Sequence, residues 1–373
     1  MDPVARARLR TQHLSHPVRA APTDVVRELL AVQSQDYLGG KWSVAMRLKG
    51  ICDADLDRDL DAGRILRTHI LRPTWHFVLP EDIRWLLALT SPRVLAQNGT
   101  MARKLALDAK TLKRGLDVVQ RTLEGGNWRT RDELGEALER AKVKPATGQR
   151  LAYIVMQAEL EGLIASGPRR GKQFTYGLID ERTAPDAKGR GAKAKSEMPS
   201  RDEALAHLAT RYFTGHGPAT VNDLARWSSL TLADARRAVE AAGTVLRGGE
   251  VGGARPARWS GAGKVPARRS AGRVDHLFCV YDEYVNGYRD RSAIFDPAHG
   301  AIIVGRGAAV THVYSLDGQV LGTWSRTIGK QRVEIVLEPF DTRVSRRALE
   351  KRLAPAAKEY GAFLRLEAGL SVK

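Results

Sequence analysis

The side chains that could do chemistry in this chain are scattered, and most of the familiar catalytic patterns are missing. There is no P-loop, no HExxH and no GxGxxG in a strand–turn–helix context. The two cysteines, Cys52 and Cys279, lie too far apart to suggest a motif, so both read as small hydrophobes rather than zinc ligands or a disulfide. His69 and His76 lack a third ligand at metal spacing, and no metal or cofactor is expected. Asp282 and Glu283 invite an acid/base reading. Read as a strand, however, the stretch points adjacent side chains to opposite faces, so the two would not reach one substrate. What remains is a set of cationic and aromatic groups suited to a phosphate backbone. Arg67, His69, Arg72, Trp75 and His76 fall in one β-rich segment, where alternate positions such as Arg67 and His69 share a face. Arg289 and Arg291 share another. Arg169, Arg170 and Lys172 cluster at a turn.

The charge balance supports that reading. Sixty Lys+Arg against 42 Asp+Glu give the 373-residue chain a net charge of +18. Self-repulsion of that size is relieved by a polyanion, and nucleic acid is the first expectation. An anionic membrane surface fits less well, because no basic amphipathic helix of the membrane type is visible. RNA-binding signatures of the RRM or KH kind are also missing. No apolar run follows the arginines near the start, so a secretory signal is not expected, and no stretch is long enough for a spanning helix. The cytoplasm, with association to the nucleoid, is the expected compartment.

The elements that must position these groups repeat. Pro22-Thr23-Asp24 caps a helix over Val25–Gln33, a second helix runs from Asp53 to Ala62, and residues 65–80 read as two strands broken at Arg72-Pro73. Thr130 caps a helix over Arg131–Arg140. A longer helix runs from Gly148 to Glu161, and residues 163–179 form a hairpin with the basic tip. Residues 181–200 are polar and Gly/Pro-containing and read as a linker. From Arg201 the plan returns, with Thr220 capping Val221–Trp227 and Thr231 capping Leu232–Ala242. Residues 247–273 are Gly/Arg-rich and read as a flexible electrostatic arm. Strands follow near 276–281, 301–304, 310–314, 319–325 and 332–338, and a closing helix spans about 344–364. The phrase NWRTRDELGEAL (127–138) parallels GPATVNDLARWS (217–228). Helix, capped short helix, second helix and hairpin in that order is the winged-helix plan.

The expected fold is therefore α+β: three tandem winged-helix units plus a C-terminal β-domain with a closing helix. The expected divisions are 1–107, 108–180, a linker at 181–200, 201–273 and 274–373. The expected partner is double-stranded DNA, bound by a single copy of the chain with no membrane involved.

Five segments make the chain resemble the bacterial winged-helix DNA glycosylase superfamily of alkylpurine and interstrand-crosslink glycosylases. They are AVQSQDYLGGKWSVAMRL (31–48), LRTHILRPTWHFVLP (66–80), GHGPATVNDLARWSSL (215–230), DEYVNGYRDRSAIFDP (282–297) and GTWSRT (322–327). The resemblance implies a C-shaped molecule, open around duplex DNA that is damaged, and a Gln-x-Gln or Gln-x-Asp catalytic motif after the first helix-turn-helix; Gln33-Ser34-Gln35 falls at its place, with Ser34 where characterised members carry an aliphatic residue. Lys41, within the first of these segments, joins the DNA-contact candidates. Gln33 and Gln35 would position a water, and Ser34 and Asp36 would stand behind them, Asp36 as the nearest carboxylate. An amide is no strong base, but it can aim a water at C1′. That suffices only where the base is a ready leaving group, as an N7- or N3-alkylated purine is. Two residues apart on a helix would point away from each other, so the backbone must leave the helix near Ser34. A DNA-binding protein without catalysis, such as a regulator or lesion sensor, would share the fold and the charge. In that case the two glutamines would simply cap a helix end.

Overall fold

The computed structural model describes residues 1–183, 198–251, 254–262, 272, 274–299 and 311–373. The N-terminal region opens with helices Pro3–Thr11 and Pro22–Leu29. The second stops four residues earlier than its apolar spacing suggests. Leu30 takes a positive φ of 66°, which ends the helical path, and the chain re-enters as the short strand Val32–Gln33. Helices Tyr37–Ala45 and Asp53–Asp61 follow. The hairpin Leu66–Ile70 and Arg72–Val78 then turns through Leu71, and the long helix Pro80–Lys104 leaves it. Val32–Gln33 pairs antiparallel with the second hairpin strand, Val32 opposite Phe77 and Gln33 opposite His76.

The same arrangement recurs. Helices Ala109–Leu123, Arg131–Arg140 and Gly148–Leu160 lead into the hairpin Ile164–Ser166 and Thr175–Leu178. Its second strand again takes a short partner from just before a helix, Arg129–Thr130. In the third occurrence, helices Arg201–His216, Val221–Ser228 and Leu232–Ala242 precede a hairpin of Leu246–Val251 and Ala254–Gly261. There the short partner shrinks to a single bridge, Ala219 to Trp259. The capping threonines behave as their sequence context dictates. Thr130 and Thr220 each accept the backbone N–H three residues on, and Glu133 and Asp223 return the bond.

The C-terminal region is a five-stranded sheet in the order Glu367–Val372, Arg332–Pro339, Gln319–Ile328, Val313–Leu316, His276–Phe278. Helix Arg346–Leu364 packs on it. Its core merges with that of the N-terminal helices, so Trp42 meets Tyr360 and Phe363. A second core joins the first hairpin and the long helix to the third repeat, with Leu66, Ile83, Tyr212 and Trp227 in contact range of one cluster.

Four expectations need correction. The chain ends on a strand rather than on the closing helix, because Arg365 takes a left-handed turn and returns residues 367–372 parallel to Arg332–Pro339. Much of the Gly/Arg-rich stretch is hairpin, and Arg258 within it is buried and ion-paired to Asp290. Asp282 and Glu283 are not on a strand: Asp282 caps the one-turn helix Glu283–Asn286. Residues 181 and 182, expected in the linker, belong to the helix Ile179–Arg182. The expected strand at 301–304, most of the linker and residues 263–271 lie outside the described residues. No helix among the described residues is long and apolar enough to cross a membrane.

Candidate functional site

Gln33 sits in a closed ring of hydrogen bonds that draws on three distant parts of the chain. Its backbone N–H donates to Glu283 Oε1 at 3.1 Å. Glu283 Oε2 accepts from the indole of Trp227 at 2.8 Å. The carbonyl of Trp227 accepts from Arg72 Nη1 at 2.7 Å, and Arg72 Nη2 closes the ring on Gln33 Oε1 at 2.8 Å. The amide orientation is forced, since a guanidinium can only donate. Gln33 is 6% exposed, so the ring is nearly dry and its bonds carry more weight than they would in water.

Gln35 is exposed, and its Oε1 accepts the backbone N–H of Trp75 at 3.3 Å. Between the two glutamines, the Ser34 N–H donates to Trp75 O at 2.8 Å, which continues the pairing begun at Val32. In such extended backbone positions 33 and 35 share a face, whereas on a helix they would diverge. Ser34 faces the opposite way. Its side chain is buried under the start of helix Tyr37–Ala45, and its hydroxyl has no partner among the described residues. Gly40 makes this approach possible, because a Cβ there would lie 2.9 Å from that of Ser34. Asp36 turns away from the glutamines toward the C-terminal sheet. Its carboxylate takes Arg326 at 3.2 Å and lies 3.9 Å from His312. Burial, with Arg326 nearby, pushes His312 down to about 4, so its imidazole is neutral.

The hairpin residues hold the site instead of standing free on a surface. Arg67 donates to Ser34 O through Nε and Nη2, at 3.2 and 3.1 Å. Its guanidinium lies 4.4 Å from the Trp75 ring and 4.7 Å from Phe174. His69 is buried against Glu159, which also accepts from Trp75 Nε1 at 3.2 Å. The expected phosphate contacts of Arg67 and His69 are therefore corrected, because both side chains are spent inside the protein. His76 is fully buried. Desolvation and the adjacent Arg72 hold it near 3, so the ring is neutral. Its Nδ1–H donates to Thr74 O at 2.9 Å, which leaves Nε2 to accept from Arg72 at 3.1 Å. Trp75 is half-buried.

Of the remaining basic candidates, Lys41 is corrected. It is 2% exposed and its ammonium is shared by Asp53 and Asp57. Arg169 stacks over Tyr37 at 5.0 Å, 3.7 Å from Asp57, and Arg170 pairs with Glu133. Lys172 at the hairpin tip and Arg289 are exposed. Arg291 is half-buried, and Nη2 donates to Asn286 Oδ1 at 2.9 Å. The structure thus joins Gln33, Arg72 and His76 directly, and Gln35, Ser34, Arg67 and Trp75 around them. It leaves Lys41, Arg169, Arg170, Lys172 and Arg289 out of these contacts.

Glu283 was set aside in sequence as half of a divergent pair, and Trp227 and His216 gave no signal. Glu283 is 1% exposed, and desolvation alone would raise it. The bond from His216 Nε2 at 3.2 Å and the positive charge of Arg72 outweigh that and hold it near 2. It is a permanent anion beneath Gln33. Among the described residues no cluster of His, Cys, Asp or Glu has the composition of a metal site.

The family model for AlkZ-like DNA glycosylases matches residues 26–363. The interstrand DNA cross-link repair glycosylase of Streptomyces sahachiroi is 25% identical over 364 residues, covering 95% of each chain. The solved structure of the DNA glycosylase AlkZ from the same organism superposes with a TM-score of 0.79 at 22% identity, covering 100% of this chain and 98% of the other.

Proposed function

Because the chain belongs to the AlkZ-like DNA glycosylase family, we propose that it hydrolyses the N-glycosidic bond of alkylated or bulky-adduct purines in duplex DNA, with Gln33 and Gln35 holding the attacking water. The observation that carries this reading is the extended path at 33–35, which turns two amides to one side. Each carbonyl oxygen already accepts one fixed N–H, from Arg72 and from Trp75, and keeps a second lone pair. A water donating one hydrogen to each would turn its own lone pair toward C1′. The C1′–N9 bond breaks with its electron pair going to the base, which leaves neutral because an N7 or N3 alkyl group had made it cationic. The water oxygen bonds C1′ and its surplus proton passes to solvent. No general acid is required, and the two aligned amides act by orientation. The fixed negative charge of Glu283, close behind Gln33, favours the developing oxocarbenium ion.

In this reading the three helix-and-hairpin repeats are winged helices, divided near residues 107, 180 and 273. They open as a C around one duplex, and a single copy acts alone in the cytoplasm. The curated relative is named for interstrand cross-link repair, so a crosslinked duplex is the second substrate to test. The experiment is incubation of the protein with duplex carrying one N7-methylguanine, then quantification of abasic sites, repeated for Gln33→Ala and Gln35→Ala. Loss of about 100-fold or more in single-turnover rate, with duplex affinity kept, is expected if each amide positions the water. Release of no base from methylated or crosslinked duplex would overturn the catalytic reading and leave a DNA-binding protein.

A further inference from the structure

Beside Gln33 lies a group of cations that the hydrogen-bond ring does not neutralise. Arg226 immediately precedes Trp227, whose carbonyl holds Arg72. Arg226 Nη1 donates to the carbonyl of Asn286 at 2.9 Å, and Arg291 Nη2 donates to the side-chain oxygen of the same residue at 2.9 Å. One asparagine thus holds two guanidiniums together, within two contacts of Arg72. Among the described residues neither Arg226 nor Arg291 forms an ion pair, and each has guanidinium nitrogens that make no hydrogen bond to those residues. Arg226 is exposed and Arg291 half-buried, so the pair faces solvent. We propose that Arg226 and Arg291, fixed on Asn286 with Arg72 behind them, form a cradle for one phosphodiester of the DNA strand that carries the target nucleotide.

The electrostatics point the same way. Burial, then Arg226 and Arg72, push Arg291 down to about 10, and an anion would reverse that. Like charges held together by neutral acceptors are destabilising in the free protein and favourable once a phosphate bridges them. Arg72 already bonds the catalytic candidate Gln33 and lends only its charge. A phosphodiester gripped here would set how far the deoxyribose reaches toward the two amides. Arg289 is two residues from Arg291, but its backbone N–H is tied to Asp223, and among the described residues its side chain makes no hydrogen bond to Asn286. It is not part of the cradle. Binding specificity would not come from this contact, since a phosphate fixes register and carries no sequence information.

The cradle rests on the glycosylase reading for its register, but it is tested by binding alone. The probe is a duplex with one tetrahydrofuran abasic analogue, in which single phosphates around the analogue are replaced in turn by neutral methylphosphonates. For the wild-type protein, one replacement should weaken binding about tenfold, as expected for loss of a charge-assisted contact. In the Arg226→Ala/Arg291→Ala variant the same replacement should have no further effect, and the slope of log affinity against log salt should fall by about 1, as for one lost phosphate contact. Arg226→Lys/Arg291→Lys should restore the slope but not the full affinity. Unchanged urea midpoints would establish that the variants fold. Replacements that weaken wild type and alanine variant equally would overturn the proposal. So would saturable binding of inorganic phosphate alone with an unchanged DNA salt slope, which would mark a small-anion site. If methylated duplex loses no base while these binding results hold, the catalytic reading fails and the cradle stands.

Discussion

Glu283→Gln is the substitution whose consequence can be worked out most fully. The carboxylate accepts from the Gln33 N–H on one oxygen and from Trp227 on the other, with His216 at 3.2 Å. A glutamine has one oxygen and one NH2, so one of those buried donors would face another donor. An unmade buried bond costs about 1 to 3 kcal/mol, more where a charge is lost with it. The protonation equilibrium gives an independent figure. Glu283 is held at about 2 against an ordinary 4.5. At about 1.4 kcal/mol per pH unit this corresponds to about 3 kcal/mol. The depressed value means that this stability is fully present above pH 4.5 and fades as pH falls toward 2. Urea unfolding followed by tryptophan fluorescence should find Glu283→Gln less stable by about 3 kcal/mol at pH 7. The gap should stay constant down to about pH 5.5 and shrink to about half by pH 3, because the carboxyl of the unfolded chain, at its ordinary value, is then protonated while the folded one still resists. A gap below about 1 kcal/mol at pH 7, or one that does not narrow on acidification, would refute the argument.

Other outcomes follow from the same geometry. Gly40→Ala should lower stability by about 1 to 3 kcal/mol in urea unfolding, because the new methyl meets Ser34 and neither backbone can yield freely. Ser34→Ala should change stability by less than about 1 kcal/mol and leave the single-turnover rate within about twofold, since the buried hydroxyl has no partner to lose. The single-turnover rate should vary less than about threefold between pH 6 and 9. His76, His312 and Glu283, near 3, 4 and 2, have all finished titrating below that window. A bell-shaped profile centred near neutrality would point to a general acid or base outside the amide pair.

Much of the scaffold was legible from local signals. Thr130, Thr220 and Thr231 announced helix starts because a cap is satisfied within three residues. Arg72-Pro73 and the alternating residues around them announced a hairpin. The extended step at Val32–Gln33 was not legible, because VVRELLAVQ carries helical apolar spacing throughout. Only pairing with Phe77 and His76 draws its last residues into a sheet. The one-turn helix at Glu283 was missed for a related reason: four residues carry too little periodicity to register.

By itself the sequence determined the basic charge and the repeated helix-and-hairpin plan, since each is written in neighbouring residues; the glutamine pair was marked only by the family resemblance. The tertiary structure alone decided what surrounds that pair. Gln33, Arg72, Trp227 and Glu283 close their ring across separations of 39, 155, 56 and 250 residues. The same packing turned Arg67, His69 and Lys41 from surface cations into internal struts. A long side chain of one composition can meet solvent or a buried carbonyl, and which it meets depends on what folds over it, information that no local window of sequence contains.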